Sequence, residues 1–216
     1  WPKKNKQSCV MYGDWRLVNQ KELYNTKSDP GQTINLIEEN ASLAKEMQNF
    51  YNTWWEDASK EFRYTLIDIE TDLKNILTSH DIHVEKTSWH QKDIRSGQAF
   101  KSGIFSVNVK KSGTYEVILR RWPPESNLPL NAAIKDGLPA EKFWDELIDG
   151  KKMDLKSAYL IIDEEEKKIK VNPKDREAHF TTIMDAGKKN IETGFFMNDG
   201  TKTTAFYTEV NFIKSD

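Results

Sequence analysis

A hairpin pattern, a proline–glycine turn and a long amphipathic run follow one another near the start of the chain, and this order constrains the fold most. Two short apolar runs, Trp15–Asn19 and Glu22–Tyr24, flank a polar turn, which predicts a β-hairpin. Asp29-Pro30-Gly31 predicts a second turn, because proline presets φ and Gly31 permits a positive φ. Asn40 is a good helix N-cap, and apolar residues recur after it at helical spacing. The predicted order is therefore strand, strand, turn, helix.

The predicted helix has one apolar face that we expect to be buried. That face comprises Leu43, Met47, Phe50 or Tyr51, Trp54 and Ala58. We expect one indole of the Trp54-Trp55 pair to enter the core and the other to face a neighbouring domain. The single cysteine, Cys9, lies in an apolar run and is predicted to be a buried small hydrophobic residue. One cysteine also excludes an intrachain disulfide.

The composition is typical of a folded protein with a large polar surface. Of 216 residues, 37% are hydrophobic and 31% charged, and seven Trp, seven Tyr and ten Phe can build a core. The net charge of −2 gives no electrostatic footprint for nucleic acid, and no apolar run approaches a membrane span. The chain opens on Trp1 with no initiator Met and no visible signal peptide, so we expect an excised fragment.

Beyond about Arg63 the pattern changes to short β-branched or alternating runs separated by polar turns. Many short strands of this kind predict an antiparallel β-sandwich. We expect a short helical turn around Phe143–Leu147 and a solvated hairpin tip at Asp163–Lys170. The fold class is therefore α+β: a small antiparallel sheet with one long helix in residues 1–61, then a β-sandwich in residues 62–216. The predicted strands are Tyr64–Ile69, Asn75–Thr78, Ile104–Val109, Thr114–Trp122, Ser157–Ile162, Lys168–Val171, Ala178–Met184, Asn190–Met197 and Thr203–Phe212.

The segment Lys21–Leu36 reads KELYNTKSDPGQTINL and resembles the pattern ELYDL-x-x-DPGE-x-x-NL near the C-terminus of the sulfatases. Asn25 and Gln32 depart from that pattern by near-isosteric changes. Three later segments resemble the extra C-terminal β domain of some bacterial sulfatases, with Ile82 in place of a common aromatic residue. They are Thr78–His83 (TSHDIH), Trp89–Gly97 (WHQKDIRSG) and Gly113–Pro123 (GTYEVILRRWP).

The resemblance implies a sulfatase C-terminal α/β subdomain in residues 1–61 and an accessory, jelly-roll-like β-sandwich in residues 62–216. A parent enzyme of this family hydrolyses sulfate esters with calcium and a formylglycine nucleophile, and is periplasmic or secreted. Formylglycine is made within C/S-x-P-x-R, which this chain lacks, and Cys9 does not fit it. We therefore expect an inactive chain with no catalytic residue and no cofactor of its own, whose partner is the missing N-terminal catalytic domain.

Two groups of residues are candidates for contacts with a ligand or with that domain. The first is Trp89, His90, Gln91 and Arg95, predicted to lie in a loop, where an aromatic face with Arg and amide donors suits a sulfated or acidic glycan. Docking of the β domain on the missing catalytic domain is the favoured interpretation, because Trp and Arg are common interface anchors; glycan contact and core packing are the alternatives. The second is Arg120, Arg121 and Trp122: alternation places Arg120 and Trp122 on one face, and one Arg is expected to pair with a local carboxylate, the other to line a polar surface.

A third group, His80, Asp81 and His83, has the composition of a metal site. On a strand, however, His80 would face away from the other two, and no fourth ligand for zinc is evident. Structural hydrogen bonding is therefore the favoured interpretation. Three functional hypotheses follow: a non-catalytic region of a sulfatase, an independent carbohydrate-binding module, and a metalloenzyme.

Overall fold

A computed structural model describes residues 3–142 and 145–215. The chain forms two compact units, Trp1–Arg63 and Tyr64–Asp216. Within these described ranges, no helix is both long and apolar enough to cross a membrane.

The first unit contains a three-stranded antiparallel sheet and one long helix. Strands β1 (Cys9–Tyr12), β2 (Trp15–Val18) and β3 (Glu22–Asn25) lie in chain order, and helix α1 spans Ala41–Ala58. The hairpin between β2 and β3 is confirmed. Its two turn residues, Asn19 and Gln20, have φ of 50° and 64°. This is the left-handed turn geometry that fits the twist of the flanking strands.

The turn that follows β3 is organised by Asp29. Its Oδ2 accepts hydrogen bonds from the backbone N–H groups of Thr33 at 2.6 Å and Ile34 at 2.8 Å. The residue with positive φ is Gln32, at 50°, and not Gly31 as the sequence suggested. Asn40 does precede α1, but its side chain caps no helical N–H group and instead donates to the carbonyl of Leu36 at 3.2 Å.

The buried stripe of α1 matches the predicted one in part. Met47 and Tyr51 are buried, and Trp55 packs against the same core, which also contains the sheet residues Val10, Leu17 and Leu23. Phe50 and Trp54 are 66% and 52% exposed. Met47 and the Tyr51 alternative are therefore confirmed, and Trp55 takes the place predicted for Trp54, because Met47, Tyr51 and Trp55 recur at the four-residue spacing of one stripe. Cys9 was also predicted wrongly: it is exposed.

The second unit consists of two packed β-sheets, which confirms the α+β class with an antiparallel sandwich. One sheet has the order β10-β7-β13-β5, and the other the order β4-β6-β11-β8-β9, with β12 paired to β11. Among the described residues, every strand pairing of this unit is antiparallel except that of β4 with β6. A short helix, α2, spans Gln91–Arg95. The strands are β4 (Ile67–Ile69), β5 (Asn75–Thr78), β6 (Phe105–Val109), β7 (Gly113–Arg120), β8 (Leu155–Ile162), β9 (Glu165–Lys170), β10 (Ala178–Met184), β11 (Gly187–Met197), β12 (Lys202–Thr204) and β13 (Tyr207–Lys214).

The core of this unit lies between the two sheets. It includes Tyr115 and Leu119 from β7 and Leu160 and Phe195 from β8 and β11, all at most 1% exposed. Burying a side chain of this size stabilises a fold by about 1.5–3 kcal/mol. The core faces of both sheets are therefore fixed, and the opposite faces are left for other contacts.

The connection between β7 and β8 contains less regular structure than expected. Of the predicted helical turn Phe143–Leu147, Phe143 and Trp144 lie outside the described residues, and the remaining part is not helical. Leu147 instead pairs with Leu138 through two backbone hydrogen bonds, of 2.7 and 2.9 Å. The hairpin tip at Asp163–Lys170 is confirmed as the turn between β8 and β9 followed by the mostly exposed strand β9.

A charged network covers part of the outer face of the sheet formed by β10, β7, β13 and β5. His179 contacts Glu116 through Nδ1 at 3.0 Å and Glu177 through Nε2 at 2.8 Å, and Glu177 also pairs with Arg120. Desolvation alone would lower the pKa of His179, but the hydrogen bonds to Glu116 and Glu177 outweigh it and raise the pKa above its ordinary value.

This network predicts a pH-dependent stability. The folded-state pKa of His179 is raised, so the protonated side chain stabilises the fold. This stabilisation is fully present below the ordinary pKa of 6.5 and is lost as pH rises through the folded-state pKa. We expect the wild type to be more stable than His179→Gln at acidic pH and the difference to vanish at alkaline pH. The effect stays below about 1 kcal/mol, since the histidine side chain is 47% exposed. Thermal unfolding of both proteins from pH 5 to 9 measures it; a difference that grows with pH would contradict the prediction.

Candidate functional site

The segment predicted to be a loop contains helix α2, and its residues have unequal exposure. Trp89 is 62% exposed, and its indole stacks on His80 with ring centroids 5.2 Å apart. His90 and Gln91 are exposed at the start of the helix. Trp89 and its two neighbours thus remain accessible to a partner or ligand.

Arg95 lies at the other end of α2 and points into the protein. It is 7% exposed, and its guanidinium donates to both carboxylate oxygens of Asp136, at 2.6 and 3.2 Å. It also donates to the carbonyl of Ile148 at 3.1 Å. These hydrogen bonds, above all, hold the pKa of Asp136 below its usual value. Arg95 therefore holds the β7–β8 connection against α2, and its buried side chain is not accessible to a glycan.

Arg120 is the arginine that pairs with local carboxylates, as the sequence predicted for one of the two. Its Nη1 lies 2.8 Å from Glu209 and its Nη2 lies 2.6 Å from Glu177. Glu209 is itself buried. Arg120 therefore belongs to the charged network on the outer face of the sheet formed by β10, β7, β13 and β5.

Arg121 has a different environment from the polar surface we expected. It is fully buried, and its guanidinium donates to the carbonyl groups of Ile94 at 3.1 Å, Ala132 at 3.0 Å and Lys151 at 2.6 Å. Its guanidinium carbon also lies 4.3 Å from the ring centroid of Trp122, which is 5% exposed. Strand β7 ends at Arg120, so the predicted alternation does not continue to Trp122. Burial lowers the pKa of Arg121 to about 10, which keeps it charged at neutral pH.

The histidine–aspartate cluster does not converge. Ser79–Asp81 is a 3-10 helix and not a strand, and the carboxylate of Asp81 accepts from the Thr78 N–H at 2.8 Å. His80 Nε2 lies 3.0 Å from the carbonyl of Trp89, and the His83 ring stacks on Tyr64 at 3.8 Å. Across residues 3–142 and 145–215, no group of three or more His, Cys, Asp or Glu side chains is placed to hold a metal ion.

A groove that the sequence did not indicate lies on the outer face of the sheet that contains β9, β8, β11 and β12. Register pairs Lys170 with Ser157, Ser157 with Phe196 and Phe196 with Lys202, so these residues form one row across strands β9, β8, β11 and β12. Phe196 is half-buried. The adjoining cavity has a volume of about 520 Å³; we call it the Phe196 groove, lined by Lys156, Ser157, Lys168, Ile169, Lys170, Phe196, Met197, Asn198, Asp199 and Gly200.

Two lysines lie directly over aromatic rings at this groove. Lys168 Nζ is 3.7 Å from the ring centroid of Phe196, and Lys202 Nζ is 5.2 Å from the same centroid. Lys202 also lies 4.7 Å from the centroid of Tyr159. The two rings are 5.2 Å apart. Attraction between each ammonium group and the ring quadrupole keeps both charges close to the apolar surface.

Tyr159 supports the floor of the groove. Its hydroxyl donates to Glu192 Oε1 at 3.1 Å and lies 2.8 Å from Ser102 Oγ, which itself donates to the carbonyl of Thr193. Burial raises the pKa of Tyr159 well above its ordinary value, so the phenol stays neutral. The ring is thus held rigidly beside Phe196 and Gly194.

No family model matches the sequence, and no curated protein matches it. Among solved structures, the chain is similar to a ruminal GH26 endo-beta-1,4-mannanase, with 13% identity, a TM-score of 0.37 and coverage of 68% of this chain and 27% of that one. It is also similar to CBM35 from Cellvibrio japonicus Abf62, with 8% identity, a TM-score of 0.29 and coverage of 56% and 75%. A family 35 carbohydrate binding module from Clostridium thermocellum has 13% identity, a TM-score of 0.31 and coverage of 65% and 99%. At such low identities and scores, these likenesses decide neither the fold nor the ligand of this chain.

Proposed function

We propose that the second unit is a carbohydrate-binding module and that the Phe196 groove is its binding site. The observation that carries this proposal is a half-buried aromatic ring on an exposed sheet face, in an open groove with ammonium, amide and hydroxyl donors. A sugar ring presents an apolar C–H face and a rim of hydroxyl groups. An aromatic platform with polar groups at its edge complements both parts.

The chemistry of the lining residues suits recognition and not catalysis. Lys168 and Lys202 can donate to sugar hydroxyls, and Asn198 offers both a donor and an acceptor. A sugar that stacks on Phe196 must displace the Lys168 ammonium from the ring, and that ammonium can then bond to the ligand instead. Asp199 lines the groove as well, but its carboxylate accepts a hydrogen bond from the Thr201 N–H at 2.9 Å.

Binding of the full chain to a panel of neutral and acidic oligosaccharides, measured by titration calorimetry, tests the proposal. We expect saturable binding to at least one glycan, weakened about tenfold or more by Phe196→Ala, a loss of about 1.4 kcal/mol. Trp89→Ala is the matched control, because it removes an exposed aromatic ring outside the groove. Loss of binding in Trp89→Ala but not in Phe196→Ala would contradict the groove and favour the Trp89 surface. A flat titration with every glycan would refute the module itself.

We also propose that the chain is the non-catalytic C-terminal region of a sulfatase. This proposal rests on the resemblance of Lys21–Leu36, a segment that contributes β3 and the Asp29 turn to the first unit. The parent would supply calcium and formylglycine in an N-terminal domain, in the periplasm or outside the cell. We expect the purified chain to hydrolyse no aryl sulfate, and a C/S-x-P-x-R motif in the reading frame upstream of Trp1; turnover by the purified chain would contradict it.

A further inference from the structure

We infer that the Phe196 groove selects a glycan that carries negative charges, as sulfate or carboxylate groups, and that this glycan lies across the strands. The inference rests on the proposed carbohydrate-binding function and specifies its ligand class. Its basis is the charge, the placement and the spacing of the lysines around Phe196.

Four lysines surround the groove, and none of them forms an ion pair within residues 3–142 and 145–215. They are Lys156, Lys168, Lys170 and Lys202, and all are exposed. Other lysines of the same unit do pair with acids, for example Lys110 with Asp68 at 2.7 Å and Lys135 with Asp149 at 3.0 Å. Since the chain has a net charge of −2, this local excess of positive charge is not a consequence of a basic composition. An unneutralised cluster of one sign attracts ligands of the opposite sign.

Three acids lie near the groove and keep their negative charge: Asp199 in its lining, Glu192 beside Tyr159, and Glu166 on the same face of β9 as Lys168. Glu192 accepts from Tyr159, and Asp199 accepts from the backbone of Thr201. Neither neutralises a groove lysine in the part of the chain that the structure describes. The four lysines outnumber these acids and form no ion pair with them, so a sulfate or carboxylate group would supply counter-charge for the remaining positive excess.

Lys168 and Lys202 are placed to exchange one partner for another. Their ammonium groups lie against Phe196 and Tyr159 by cation–π attraction, which is weaker at an exposed site than a charge-assisted hydrogen bond to an anionic oxygen. An anionic ligand can thus draw the ammonium groups away from the rings and expose the face of Phe196 for stacking. The two ammonium groups and the Phe196 ring then both contact the ligand.

The row Lys170–Ser157–Phe196–Lys202 sets the direction of the ligand. Adjacent strands lie about 4.8 Å apart, so the backbones of Lys170 and Lys202, three strand spacings apart, are separated by roughly 14 Å. That span exceeds one sugar ring. A ligand that contacts both ends of the row must therefore be an oligosaccharide that crosses the strands, with acidic groups on more than one residue.

Titration of the full chain with matched glycans tests the inference. The probes are dextran, dextran sulfate of the same length and polygalacturonate, which separate a neutral, a sulfated and a carboxylated backbone. We expect one of the two acidic glycans to bind about tenfold or more tighter than dextran, and the double variant Lys168→Gln/Lys202→Gln to remove most of that advantage. The matched control is Lys110→Gln/Lys135→Gln, which removes two paired lysines elsewhere in the unit and is expected to bind as the wild type does. Thermal unfolding confirms that each variant is folded.

The possible failures are distinguishable. If a neutral glycan binds as tightly as the acidic ones and only Phe196→Ala weakens it, the module stands and the anionic ligand is wrong. If neither neutral nor acidic glycans bind, both proposals fail. If inorganic polyphosphate binds as tightly as dextran sulfate, and Phe196→Ala weakens neither, the lysines act as a simple ion exchanger and the inference is overturned. A preference between dextran sulfate and polygalacturonate identifies the acidic group.

Discussion

Replacing Arg121 by methionine is expected to lower the free energy of unfolding by about 3–5 kcal/mol, the largest stability loss that we predict for this chain. Three segments depend on this guanidinium, because it donates to the carbonyl groups of Ile94, Ala132 and Lys151 at 2.6–3.1 Å. Methionine fills a similar volume but donates no hydrogen bond. Each partly buried carbonyl that loses its donor then costs up to about 1–3 kcal/mol, less the part that a hydrogen bond from water recovers.

Chemical denaturation of the full chain measures the loss. Arg176→Met is the matched control, because Arg176 is an exposed arginine in the same unit, and we expect its effect to stay within about 0.5 kcal/mol. Arg121→Lys keeps the charge but not the planar set of five donors, so it should recover only part of the loss. An Arg121→Met protein as stable as the control would show that the three segments hold together without the guanidinium.

The elements that the sequence predicted well are those with a strict period. Strand β10 has the predicted bounds Ala178–Met184, because its residues alternate between buried and exposed along the whole length. The tryptophan of the α1 stripe was misplaced because Trp54 and Trp55 are both apolar and occupy neighbouring positions on the helix. Trp55 is the indole that packs against the core cluster of the sheet and helix, and a one-dimensional pattern does not contain that contact.

The candidate site was harder to predict because it depends on pairing between distant strands. Arg95 and Arg121 were predicted as contact residues because a guanidinium can bind anionic groups. In the structure both side chains are buried, and their guanidinium groups donate to oxygen atoms of the protein itself. Lys168 and Lys170 are two residues apart on an exposed strand, and this alternation was a signal that both face one side. What the sequence does not show is that β8 brings this face beside Phe196, a pairing set by the three-dimensional register.

Replacing Gly194 by alanine is expected to destabilise the second unit by about 1–3 kcal/mol and to weaken ligand binding at the Phe196 groove. Gly194 pairs with Tyr159 of β8 and Thr204 of β12. A Cβ atom there would overlap the carbonyl oxygen of Thr203 and would lie 2.6 Å from the Tyr159 hydroxyl oxygen. Backbone cannot rotate away as a flexible side chain can, so β12 must shift. Lys202 belongs to that strand and would move relative to Phe196.

Gly31→Ala provides the comparison, because a Cβ atom at Gly31 meets its nearest neighbours at 3.5 and 3.8 Å, which is ordinary van der Waals contact. We expect this control to unfold and bind as the wild type does. For Gly194→Ala, calorimetric titration well below the unfolding temperature separates the two effects, since a folded variant that still binds poorly has a displaced β12. The effect on binding would arise through the position of Lys202 on β12 and through that of the Tyr159 ring, which the added Cβ atom also approaches. A Gly194→Ala protein with wild-type stability and wild-type binding would show that β11 and β12 tolerate a wider spacing, and that the row across the strands does not determine the geometry of the groove.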